Sequence, residues 1–137
     1  MRQRIEKERT APGQDDLAIK TGVGGLMDAE FIAQYFCLAH GELEPNTLRA
    51  LQLARDRQWL PEPDAGSLIS NYRKLRRVEG ILRRWSYAGE TTLPEDPAPQ
   101  YRVAVRCGFR TTEAFFAAVR NYRRNLRECY RKVFAEG

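Results

Sequence analysis

An all-α fold, a single bundle of about five helices behind a glycine-rich N-terminal loop, is what this sequence predicts. Three observations carry that reading. Apolar residues recur at helical spacing in several separate segments, proline and glycine clusters punctuate those segments, and no convincing alternating strand or internal repeat is present. A chain of 137 residues with 42% hydrophobic content supports one compact domain with its own core, here residues 1–137, with an N-terminal arm and loop over 1–25 and the bundle over 26–137.

Residues 1–9 are charged and read as the tail of a helix that Ala11-Pro12-Gly13 breaks, and Leu17 to Ile19 can run extended for a few residues. The glycine turn Thr21-Gly22-Val23-Gly24-Gly25 follows Lys20 and leads into the first strongly patterned helix, Met27 to His40. Phe31, Tyr35, Leu38 and Ala39, flanked by Ile32 and Phe36, form a wide apolar stripe expected to be mostly buried. Gly41 is the stop. His40, the one histidine, suits the exposed carbonyls at that helix end and is assigned no chemistry.

Asn46, after Pro45, caps a second helix carrying Leu48, Leu51, Leu53 and Ala54 to about Gln58, and Trp59-Leu60-Pro61 closes it. A long helix from Asp64 or Ser67 to Ala88 places Leu68, Tyr72, Leu75, Glu79 and Leu82 along one seam. Glu79 interrupts that seam, and a desolvated carboxylate needs a partner, for which Arg76, Arg77 and Arg83 are the local candidates. Gly89 to Pro99 reads as a loop. A short helix from about Gln100 to Cys107 ends at Gly108, and Thr111 or Thr112 caps the last helix, with Phe115, Val119, Tyr122, Leu126, Cys129 and Val133 on its apolar face.

Composition narrows the partners. Lys and Arg number 23 against 18 Asp and Glu, a formal charge of +5, which favours phosphates, nucleic acid or an acidic protein surface without choosing among them. Cys37, Cys107 and Cys129 lack metal-ligand spacing, and three thiols without an export signal fit a reducing cytoplasm. No apolar run approaches the length of a membrane span. Arg120, Arg123, Arg124, Arg127 and Arg131 form a basic stripe on the last helix, and Arg73, Lys74, Arg76, Arg77, Arg83 and Arg84 a second cluster on the long one. No aromatic residues interleave with the stripe for base stacking, so a solvated helix face accounts for it better than nucleic-acid binding does.

The loop ahead of the first patterned helix is the most informative stretch. Glycines let backbone N–H groups approach a ligand, the first turn of a helix leaves donors unpaired, and Lys20 adds a charge, so a phosphate can sit there. Asp28 and Glu30, in the first turn, compete with an anion for the positive end of the helix, and glycines ahead of a helix are also ordinary turn chemistry. The spacing matches neither the Walker nor the Rossmann pattern.

Two motifs carry a resemblance. The first is Lys20, Gly24-Gly25-Leu26, Asp28-Ala29-Glu30-Phe31 and Gln34, and the second is Tyr72, Leu75, Arg76, Glu79 and Leu82. In that order they resemble the helical segment following a nucleotidyltransferase domain in bacterial glutamine synthetase adenylyltransferases (glutamate-ammonia-ligase adenylyltransferases), with kinship to PII uridylyltransferases. The resemblance covers nearly the whole chain. It departs at Ala18, where the family usually carries an acid, and at Ala29, where it carries Ile.

The resemblance implies one domain of a larger multidomain enzyme, closing over nucleotide held by a nucleotidyltransferase domain. ATP and Mg2+ are then ligands of the intact parent, and glutamine synthetase and a PII-type regulator are its partners in nitrogen control. Lys20, Gly24, Gly25, Asp28 and Glu30 are the implied nucleotide-facing residues. No catalytic or metal-ligating residue is assigned, and the chain alone is expected to be inactive. Another reading is a noncatalytic interaction module whose basic faces dock an acidic or PII-type partner.

Overall fold

The computed structural model describes residues 24–85 and 93–134. Those residues form five helices: α1 (Leu26–Ala39), α2 (Thr47–Asp56), α3 (Asp64–Trp85), α4 (Pro97–Arg106) and α5 (Thr112–Phe134). The two long helices, α3 and α5, make the most extensive pairing. Helix α1 packs on α2, α3 and α5, α2 also rests on α3, and α4 lies against α5 and α3. The core they share includes Ile32, Leu51, Leu68, Leu75, Phe115 and Leu126.

Local chemistry explains the ends. Asn46 accepts the Arg49 backbone N–H at 3.0 Å and Thr111 Oγ1 accepts that of Ala114 at 3.1 Å, the caps expected for α2 and α5. At the C-terminus of α1, Gly41 N–H reaches the Leu38 carbonyl and Glu42 N–H that of Cys37. At the end of α4, Gly108 and Phe109 repeat the pattern on Val105 and Ala104. Both glycines have positive φ, as this type of helix stop requires. In α2 the equivalent position is Gln58, at φ 59°. His40 stands at the C-cap of α1 with Nδ1 3.0 Å from the Phe36 carbonyl, its ring stacked on Trp59 at 4.0 Å.

Three expectations are corrected. The buried face of α1 is Ala29, Ile32, Ala33, Phe36 and Cys37, whereas Leu38 is 83% and Tyr35 45% exposed. Both candidate stripes have helical spacing, and the choice falls to the small residues Ala29 and Ala33, which let neighbouring helices come close. Tyr35 instead sets its ring edge against Phe134 at 5.3 Å. Helix α4 begins at Pro97, with Pro99 also inside it, because proline in a first turn gives up an N–H that has no helical partner. On α5, Arg123 is buried at 7% exposure, not part of a solvated stripe, since it falls between Val119 and Leu126 on the inward face. The expectations for residues 1–23, including Lys20 and Gly22, and the extension of α3 to Ala88 lie outside the described residues.

Candidate functional site

The described part of the glycine loop is turned inward. Gly24 has φ 72° and is packed so tightly against α5 that a Cβ there would lie 2.0 Å from the Arg123 carbonyl oxygen. Its N–H donates to Asp28 Oδ2 at 2.7 Å, and the Asp28 N–H donates to the Gly25 carbonyl at 3.1 Å. The aspartate side chain in the first turn thus reaches back past the N-cap, one residue further than the N3 side chain of a capping box does. Gly25, the N-cap of α1, has no side chain to do this itself.

Asp28 is fully buried, and the Arg127 guanidinium stands 3.5 Å from Oδ2. Arg127 also lies over the Tyr130 ring, 4.7 Å from its centroid. Gly24, Asp28 and Arg127 therefore form one buried unit joining the start of α1 to α5. Sequence reasoning identified Gly24 and Asp28 but placed Arg127 in a solvated stripe, because its partner is distant along the chain.

Glu30 points elsewhere. It lines a groove of about 600 Å3 with Pro45, Asn46, Thr47 and Leu48 on one side and Tyr72, Arg73, Arg76 and Arg77 on the other. The two motifs thus converge in space, Glu30 from the first meeting Tyr72 and Arg76 from the second. Burial pushes the Tyr72 hydroxyl above its ordinary pKa, while the Arg76 charge and a hydrogen bond with Thr47 pull the other way. Beside the groove Glu79, 3% exposed, is held by Arg76 Nη1 at 2.5 Å and flanked by Arg83 Nη2 at 3.7 Å. Of the three arginines offered by the sequence, two lie on Glu79 and Arg77 lines the groove.

A second basic surface runs along α5, where Arg123, Arg124, Arg127 and Arg131 line a depression of about 310 Å3 with Glu128. Asp28 faces α5 and Glu30 faces this other groove, so the two carboxylates do not converge on a shared cation. Among the described residues there is no group of three or more His, Cys, Asp or Glu that could hold a metal, and no helix long and apolar enough to cross a membrane. The three cysteines are free. Burial raises the thiols of Cys107 and Cys129 to about 11, against the pull of Arg77 at the first and of Lys132 at the second.

Comparison with known proteins places this geometry. The profile of the family described as GlnD PII-uridylyltransferase matches residues 1–134. A bifunctional glutamine synthetase adenylyltransferase/adenylyl-removing enzyme of Nitrosococcus oceani is 35% identical over 122 residues, which is 85% of this chain and 13% of that protein. The enzyme of the same name from Neisseria meningitidis serogroup A is 30% identical over 145 aligned positions, covering 99% of this chain and 16% of that protein. The serogroup B enzyme is 29% identical over the same shares. The chain spans less than a fifth of the length of these relatives. From its first described loop to the end of α5, this helical bundle belongs to the GlnD PII-uridylyltransferase family.

Proposed function

We propose that this chain is the helical domain that follows a nucleotidyltransferase domain in a bifunctional glutamine synthetase adenylyltransferase/adenylyl-removing enzyme, where it closes over the bound nucleotide. The observation that carries the reading is the buried Gly24, Asp28 and Arg127 unit. It spends the most specific motif residues on fixing the start of α1 against α5. Gly24, Gly25 and Asp28 act by holding the start of α1 in place, and Lys20 meets the phosphates of ATP.

Mg2+ in the parent falls to the neighbouring domain, since Asp28 and Glu30 face different helices. Glutamine synthetase is the protein substrate and a PII-type protein a further partner. The chain by itself does not catalyse.

The test is adenylylation of glutamine synthetase by the intact parent carrying Lys20→Ala. A fall of about a hundredfold, the scale for loss of one preorganised electrostatic contact, supports the assignment, and an unchanged rate removes Lys20 from the site. The exposed Arg124 and Arg131 of α5 favour a second reading, a module that docks an acidic partner. Nucleotide titration of the intact parent separates the two: backbone signals of residues 20–30 move under the first and stay silent under the second.

A further inference from the structure

The groove beside Glu30 concentrates positive charge in a concavity. Arg73 and Arg77 stand one turn apart on α3, with Arg76 between them, and all three line the same opening. Arg76 is committed to Glu79, whose other oxygen faces Arg83. Arg73 and Arg77 have no ion-pair partner among the described residues. Among the described residues, Glu30, on the α1 wall, is the one carboxylate lining the groove. Two like charges at this spacing slightly destabilise a helix, and grouping them with a third on the wall of a hollow raises the local positive potential further than a convex surface would.

We propose that this groove binds a phosphate-bearing small ligand, with its oxygens gripped by the guanidinium groups of Arg73 and Arg77. A planar fork of donors matches a phosphate dianion, and two forks one turn apart suit adjacent phosphates better than a single carboxylate. A volume of about 600 Å3 lies within the range of small-molecule sites. Nucleic acid is disfavoured because Tyr72, the aromatic lining residue, is 6% exposed and offers no face for stacking. Glu30 then meets the end of the ligand away from the phosphates, where a carboxylate accepts a hydroxyl or amine proton.

This site needs no neighbouring domain, so it stands or falls apart from the transferase reading. The 137-residue chain is titrated at low salt with pyrophosphate and, separately, with ATP, following backbone amide and arginine side-chain NMR signals. Shifts are expected at Thr47, Leu48, Arg73 and Arg77 on both walls of the groove. Arg73→Gln with Arg77→Gln should weaken binding at least about tenfold, as loss of charge-assisted hydrogen bonds does, while Arg124→Gln with Arg131→Gln leaves it within twofold. Equal affinity for the two probes assigns the site to phosphate alone, and tighter ATP binding adds recognition of the nucleoside. Shifts centred on α5, equal weakening by both pairs, or no shift at millimolar pyrophosphate would overturn the proposal. Both arginines are exposed, and each single variant replaces the pair should the double variant not fold.

Discussion

Gly24→Ala tests the close contact on which the site geometry rests. The added methyl would sit 2.0 Å from the Arg123 carbonyl oxygen, so α5 and the loop must separate by about 1.4 Å to restore an ordinary contact. That strain adds to the cost of placing a Cβ at φ 72°, roughly 1–2 kcal/mol. Overpacking against backbone costs roughly a further 1–3 kcal/mol.

A loss of about 2–5 kcal/mol in urea unfolding is therefore expected. Two sibling variants isolate the causes. Gly41→Ala has φ 67° with nothing within 4 Å of the new Cβ, so it bears the backbone cost alone, about 1 kcal/mol. Gly80→Ala, inside α3 with equally open space, should stabilise by about 0.5–1 kcal/mol. If Gly24→Ala and Gly41→Ala fall within about 0.5 kcal/mol of each other, a tenth or so of a typical domain's stability, the contact with Arg123 has no energetic weight and the loop is not held as described.

Asp28→Asn keeps the shape but removes the charge that Gly24 N–H and Arg127 share, and it should lower stability by about 2–4 kcal/mol in urea titration; a loss under about 0.5 kcal/mol would mean the buried unit is incidental. Glu79→Leu should be neutral to within about 1 kcal/mol, because Arg76 and Arg83 are each 53% exposed and regain water when the carboxylate goes; a loss above about 3 kcal/mol would show that the ion pairs stabilise the seam. The thiols of Cys107 and Cys129 hold their protons to about pH 11 in the fold, whereas the unfolded thiol releases its own near 9. Between those values the native state binds more protons, so stability should fall as pH rises, and the slope should flatten in Cys107→Ser with Cys129→Ala. At pH 8 only about one thiol in a thousand is ionised at these two positions, so alkylation of Cys107 and Cys129 should be slow until the protein unfolds.

Periodicity and punctuation carried the helical architecture, because caps and stops are local. Asn46, Thr111, Gly41 and Gly108 satisfy orphan amides or carbonyls within a few residues of themselves, and such signals survive without knowledge of the partners. Which face of α1 turns inward was not local. Two stripes competed in the same helix, and the decision came from α2, α3 and α5 closing on Ala29 and Ala33. The burial of Arg123 has the same origin, since its charge alone gives no hint that Gly24 needs the backbone beside it.

The candidate site divides in the same way. The residue types and order of the two motifs were legible along the chain, as was the need of Glu79 for an arginine. Only the packed structure brought Glu30 to Tyr72 and Arg76 around one groove and set Arg127 against Asp28, because each pairing joins helices far apart in sequence. Chain order determines which groups are available, whereas helix packing decides which of them lose water together, and that loss gives a buried charge or a shared groove its chemistry.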